Sequence, residues 1–267
     1  MARHPLIRIQ KLGVHRNRRI LHNIDWQVDA GQHWVLLGSN GSGKTSLLRA
    51  LTAYLTPSCG VIQVCGKTYG ESPWQELRRH IGMVSSAVQQ QIEPGETALA
   101  AIVSGRHAVI NHSGPIRASE RHQALAILRR MNCEPLADRP WLFLSQGERQ
   151  KILIGRALMA RLKILILDEP CAGLDPVARE KFLNFLPRLA RQKNCPALVL
   201  VTHHVEEIGH CFTHALLLAR GSVIDSGPLD ATLTTANLKK IFGRRVLLKK
   251  DRQRYRLLVN PGRSPIL

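Results

Sequence analysis

The chain has 267 residues, 44% of them hydrophobic, which is enough for one large domain or two small ones and too apolar for a disordered chain. No run of about 20 apolar residues occurs, which argues against a membrane-spanning helix; the start, Met1-Ala2-Arg3-His4-Pro5, lacks the apolar segment of a signal peptide, so a cytoplasmic protein is expected. The net charge of +19 points to anionic partners, and six scattered cysteines with no C-x-x-C pair read as free thiols, mostly small core residues.

From Leu6 to about Val28 the pattern reads strand, turn, strand, with His15, Arg16, Asn17 and Arg18 in the turn. A tight turn at Ala30-Gly31-Gln32 leads to an apolar run, His33 to Leu37, that reads as a buried strand. There follows Gly38-Ser39-Asn40-Gly41-Ser42-Gly43-Lys44-Thr45, then a helix start at Ser46-Leu47-Leu48. This is G-x-x-x-x-G-K-[ST] between a strand and a helix, the phosphate-binding loop in its proper context. Its glycines let the backbone close on phosphate oxygens, and loop N–H groups and the helix N-terminus supply partial positive charge. Lys44 is expected to reach the terminal phosphates and Thr45 to hold Mg²⁺, so the chain is expected to bind a nucleoside triphosphate.

Residues 61–69 read as a short strand, and Ser72-Pro73 as the capped start of a short helix ending near His80. Ile81 to Val84 reads as a buried strand running into a glutamine-rich loop at Gln89-Gln90-Gln91. From about Glu96 to Met159 the pattern is helical, with Ala124, Leu125, Ile127, Leu128 and Met131 on one apolar face. Two unbroken apolar runs follow, Ile164 to Leu167 ending at Asp168-Glu169 and Ala197 to Val201 ending at Thr202-His203. Both read as parallel strands buried on both faces. The helix between them starts at Asp175-Pro176 and points Val177, Phe182, Phe185, Leu186 and Leu189 inward. A parallel sheet covered by helices, with ligands at strand C-terminal ends, is therefore expected. At such an end one carboxylate, Asp168, would hold Mg²⁺ and the next, Glu169, would orient or activate a water. The histidines His203, His204, His210 and His214 lack the spacing of a zinc site.

The tail from about Leu229 reads as a short helix around Leu238 and Ile241, then a hairpin from Val246 to Leu258. It is strongly basic, with Lys239, Lys240, Arg244, Arg245, Lys249, Lys250, Arg252, Arg254 and Arg256 opposed only by Asp251; a second basic group is Arg16, Arg18 and Arg19. A solvated surface accounts for both; contact with anionic lipid or nucleic acid is the sharper alternative, and the scarcity of aromatics argues against a base-stacking platform.

The motifs in order resemble those of ATP-binding cassette (ABC) ATPases. Leu144-Ser145-Gln146-Gly147-Glu148 resembles the signature motif, Gly173-Leu174-Asp175 the D-loop and Thr202-His203 the switch histidine, across residues 6–228. The resemblance implies an α/β fold, a P-loop NTPase with a mainly parallel sheet core, an antiparallel β subdomain and an inserted helical subdomain. In residue terms it implies an ABC ATPase domain over 1–228, with the helical subdomain at about 90–158, and a basic C-terminal extension over 229–267. It further implies that two cassettes pair head to tail around two ATP molecules. The loop Gly38 to Thr45 with Ser46 would hold the phosphates, Ser145 and Gly147 would donate to the partner's γ-phosphate, and Asp175 would communicate between sites. His203 would contact the γ-phosphate and hold the water with Glu169.

The chain departs from the family pattern in three ways. His15 stands where an aromatic usually stacks on adenine, and Gln146 and Glu148 replace a glycine and a glutamine of the signature. The glutamine expected after Val84 is absent; Ser86 stands there, and Gln89 is the nearest substitute as a Mg²⁺ ligand. The resemblance points to the ATPase subunit of an ABC membrane transporter, a dimer at the cytoplasmic face of the membrane beneath separate permease subunits. Its style is that of uptake systems for metal chelates or oxyanions. The alternatives are a soluble ABC ATPase acting on nucleic acid or ribosomes, and an orphan cassette that hydrolyses ATP slowly.

Overall fold

The structure, a computed structural model, describes residues 4–17, 19–73, 77, 80–160, 162–243, 245–251 and 254–260. In chain order its strands are β1 (Ile7–His15), β2 (Arg19–Val28), β3 (Trp34–Gly38), β4 (Cys59–Val64), β5 (Lys67–Thr68), β6 (Ile81–Val84), β7 (Ile164–Asp168), β8 (Ala197–Thr202), β9 (His214–Ala219), β10 (Ser222–Pro228), β11 (Val246–Asp251) and β12 (Arg254–Val259). The chain folds as two compact units, residues 1–78 with 186–267, and residues 79–185. Among the described residues no helix is long and apolar enough to cross a membrane.

The first unit holds an antiparallel sheet in the order β2-β1-β4-β5. The strand expected over 61–69 is interrupted, because Cys65 (φ 51°) and Gly66 (φ 82°) turn the chain back and pair β5 with β4. The same unit holds β3 in parallel with β8 on one edge and with β9 on the other, and β10 returns antiparallel to β9. Every residue of β3 and β8 is buried, as expected of strands covered on both faces. The β9–β10 hairpin turns at Arg220-Gly221, both at positive φ. Here a glycine is required, since a Cβ on Gly221 would lie 2.2 Å from the Ile20 carbonyl oxygen. That close approach lets His22 N–H donate to Gly221 O at 2.8 Å and Gly221 N–H donate to Ser42 O at 2.9 Å, so this turn supports the loop after β3 from below.

The tail of this unit contains the helix Thr235–Phe242, capped by Thr234, and the β11–β12 hairpin. Val246 and Tyr255 are buried on the inner face of the hairpin, while Leu247, Lys249, Arg256 and Leu258 are exposed on the outer face. Asp230 anchors the hairpin, accepting from Lys250 Nζ at 2.6 Å and Tyr255 Oη at 2.9 Å. Arg244 and Arg252 of the basic tail, and Arg18 near the start, lie outside the described residues.

In the second unit β6 runs parallel to β7, with Val84 opposite Leu167. The long helical pattern resolves into the helices Ala98–Ser104, Ala118–Arg130 and Gln146–Met159, separated by short 3₁₀ turns and loops that contain Gly105, Pro115, Pro135 and Pro140. The three helices pack closely around Gly155, where a Cβ would meet Ile102 Cδ1 at 3.0 Å and Ile127 Cγ2 at 3.2 Å. The expected glutamine-rich loop is a short helix, Ser86–Gln90, because Ser85 caps it by accepting from Val88 N–H. The helix expected from Ser72-Pro73 falls mostly on residues 74–76 and 78–79, outside the described set.

In the helix Pro176–Ala190 the residues Phe182, Phe185, Leu186 and Leu189 are buried as expected. Val177 is not; it is 62% exposed, because it lies in the first turn on the solvent side. The cysteines also differ from expectation. None of the six forms a disulfide, but only Cys133 and Cys171 are buried, while Cys59 is exposed.

Candidate nucleotide site and comparison with known proteins

The loop after β3 has the form of an anion cradle. Gly41 (φ 76°) and Gly43 (φ 107°) take left-handed backbone that turns successive N–H groups to one side. Gly43 is the N-cap of the helix Lys44–Leu51, no side chain caps it, and no acidic residue occupies its first turn. The start of this helix thus presents the positive end of its dipole to an anion. Lys44, 7% exposed, folds back so that Nζ donates to Gly38 O at 2.8 Å and Ser39 O at 3.1 Å. Asn40, Gly41 and Thr45 form an exposed rim, and Ser39 and Ser46 are half-buried. Ser42 forms the floor; its hydroxyl is buried without a hydrogen-bond partner. A buried ammonium, an uncapped helix start and no competing carboxylate on that helix fit the phosphates of a nucleotide.

His203 lies in the same unit. Leu37 of β3 pairs with Thr202 of β8, so Gly38 and His203 each follow a paired residue at the C-terminal ends of two adjacent parallel strands. His203 is half-buried, and its ring centroid is 3.9 Å from that of His204. His15 ends β1 and is exposed, with its N–H donating to Ser58 Oγ at 2.9 Å. Its ring lines an open groove of about 600 Å³ beside Gly13, Cys59 and Gly60.

The remaining predicted site residues belong to the second unit. Asp168 ends β7, and Glu169 follows with φ 46°, a left-handed conformation that non-glycine residues adopt at a cost and that concentrates at functional sites. Ser145 caps the helix Gln146–Met159 in a reciprocal capping box. Its N–H and Oγ donate to Glu148 Oε2 at 2.7 and 2.9 Å, and its Oγ accepts from Glu148 N–H at 3.4 Å. Gly147 lies in the first turn of that helix. The Gln89 amide donates to Gln146 Oε1, and the Gln146 amide nitrogen is 3.5 Å from where a Cβ on Gly173 would lie. Gln89 is therefore hydrogen-bonded to the signature segment, and Gln146 lies beside Gly173. Asp175 uses one carboxylate oxygen to cap its own helix, accepting from Val177 N–H at 2.8 Å and Ala178 N–H at 2.9 Å.

Sequence reasoning missed two features. One is the support of the phosphate loop by Gly221, for which the apolar run Ala215 to Leu218 followed by Arg220-Gly221 was a usable signal. The other is Glu207, a carboxylate only 4% exposed, which accepts from Thr202 Oγ1 at 2.6 Å.

The family model described as "ABC transporter" matches residues 21–172. A second model, described as an AAA domain, putative AbiEii toxin, matches residues 136–209. The chain is 41% identical over 251 residues to the ABC transporter ATP-binding protein YlmA of Bacillus subtilis, covering 92% of this chain and 95% of that protein. Among solved structures, an inward-facing putative metal-chelate type ABC transporter is 25% identical with a TM-score of 0.79, covering 97% of this chain and 99% of that one. The dimeric bacterial cassette MJ0796 shares the fold, with a TM-score of 0.70 at 24% identity, over 84% of this chain and 98% of that one. Loop, fold and relatives agree: the chain belongs to the ABC transporter ATP-binding proteins, ATPases coupled to transport.

Proposed function

We propose that this ATPase works as a dimer of cassettes, on the cytoplasmic face of the membrane beneath separate permease subunits, and powers uptake of a metal chelate or an oxyanion. The observation that carries the nucleotide part is Lys44 folded into the uncapped start of its helix. In this reading Lys44 and the loop from Gly38 to Ser46 hold the phosphates of ATP, and His15 lies along the base. Thr45 and Asp168 would hold Mg²⁺, which supplies neutralising charge at the phosphates. Glu169 orients and deprotonates the attacking water, and His203 holds that water and the γ-phosphate. Ser145 and Gly147 offer the start of their helix to the partner cassette's ATP, which requires Ser145 Oγ to be shared with Glu148. Gln89 would serve as the ligand missing at Ser86 after releasing Gln146, and Asp175 would link the two sites. Support for the dimer comes from the likeness to MJ0796, and for metal-chelate cargo from the likeness to the metal-chelate type transporter.

The test uses tagged Glu169→Gln, expected to hold ATP without turnover, crosslinked in intact cells. Co-purification of a multi-span membrane protein, and loss of radiolabelled chelate or oxyanion uptake when this chain is deleted, are the expected results. Recovery of ribosomal or nucleic-acid material without a membrane partner would overturn the transport reading.

A further inference from the structure

The loop that carries His203 is pinned on both sides of that residue. Thr202, 1% exposed, precedes it and donates through its hydroxyl to Glu207 Oε2 at 2.6 Å. His204 follows it, and its backbone N–H donates to the same Thr202 Oγ1 at 3.0 Å. One chain of carboxylate, hydroxyl and amide thus fixes the backbone before and after the His203 imidazole. Glu207 belongs to the short turn Val205–Glu207, and its neighbour Glu206 makes a second, longer-range tie. Glu206 Oε1 accepts the backbone N–H of Leu257 on β12 at 2.9 Å.

That donor is available because of the hairpin register. Leu257 is opposite Leu248, and the Leu248 N–H points away from β12 to donate to Thr235 Oγ1 at 3.1 Å. Leu248 and Leu257 therefore form a non-hydrogen-bonded pair, whose N–H groups face outward from the two-stranded ribbon. One docks the hairpin on the helix Thr235–Phe242 and the other docks it on the loop after His203. The hairpin lies wholly outside the residues 21–172 that match the family model.

We infer that Glu207 and Glu206 are positioning residues for His203, and that the C-terminal hairpin braces the loop on which this histidine is carried. The inference rests on the proposed role of His203. Glu207 sets the loop from within, and Glu206 ties it to β12, so both act on hydrolysis rather than on nucleotide affinity.

Steady-state hydrolysis by the full chain tests this. Glu207→Ala should lower kcat about tenfold, the size expected when one buried hydrogen bond is lost. Glu206→Ala, at a half-buried tie, should lower it about threefold. In both, KM for ATP and the affinity for a non-hydrolysable analogue should stay within about twofold of wild type. Glu207→Gln and Glu206→Gln keep an acceptor oxygen and should recover at least half of wild-type kcat, which keeps the test open if Glu207→Ala fails to fold. The inference is overturned if both alanine variants turn over at the wild-type rate while His203→Ala is inactive. It is equally overturned if kcat and nucleotide affinity fall together, the mark of a general folding defect. Full activity of His203→Ala would instead overturn the reading of His203 beneath it.

Discussion

Gly38→Ala isolates the geometry of the phosphate loop. A Cβ at this position would lie 2.4 Å from Ser42 Oγ, 2.6 Å from Leu218 O and 3.1 Å from Ser42 Cβ. The serine hydroxyl can rotate away. The Leu218 carbonyl cannot, because it is backbone of β9 held opposite Gly38 in the parallel ladder. The added methyl must therefore push β3 from β9 or lift the loop. Overpacking of this kind costs about 1–3 kcal/mol, and at about 2–4 °C per kcal/mol for a chain of this size the Tm should fall by about 2–12 °C. The loop suffers a second loss, since the Lys44 ammonium is held by the carbonyl of Gly38 itself. Displacing that anchor by a few tenths of an ångström should weaken ATP binding at least tenfold, about 1.4 kcal/mol. The assay is a titration with a fluorescent ATP analogue, alongside thermal melts without nucleotide. Gly95→Ala is the control, because a Cβ there meets nothing within 4 Å. Wild-type affinity and an unchanged Tm in Gly38→Ala would refute the reasoning.

Thiol chemistry offers a second check. Cys59 is exposed, whereas burial pushes the Cys211 thiol up to about 12 and raises that of Cys133, so thiolate is scarce at both near pH 8. A maleimide at pH 8 should label Cys59 first, and Cys59→Ser should remove the fast phase seen by mass spectrometry; rapid labelling of Cys211 would contradict this. A third concerns pH. Hydrogen bonds from Lys250 and Tyr255 hold the Asp230 carboxyl below its ordinary range. A depressed carboxyl stabilises the fold above the unfolded value, about 3.9, and that contribution is lost as pH falls through the lowered folded value. Asp230→Asn should therefore melt earlier than wild type at pH 7 and lose less stability between pH 5 and pH 2; parallel Tm-against-pH curves would contradict it.

What the sequence disclosed was local chemistry. The loop from Gly38 to Thr45 is legible because the glycines, the lysine and the helix start are consecutive in the chain. The cap at Asp175-Pro176 was legible for the same reason, and the structure shows the Asp175 carboxylate on the N–H groups of Val177 and Ala178. Ser145-Gln146-Gly147-Glu148 also has the spacing of a capping box, which the structure shows in the bonds between Ser145 and Glu148. Long-range partners could not be read. The Thr202–Glu207 bond needs a turn over Val205–Glu207, and the Glu206–Leu257 tie joins residues 51 apart. The bond of Gln89 to Gln146 spans 57 positions, so only the fold brings the pair together. Val177 was misplaced because apolar character outweighed its position in the exposed first turn.

The central claim is that this chain turns over ATP by water activation at Glu169, and Glu169→Gln tests it most directly. Hydrolysis by the purified chain is measured beside size-exclusion chromatography with ATP and Mg²⁺. A positioned general base contributes about 10²–10⁴-fold. The variant should therefore lose at least 100-fold in rate, with unchanged ATP affinity, and elute as a nucleotide-retaining dimer. A variant that hydrolyses ATP at the wild-type rate and stays monomeric with ATP would contradict the assignment.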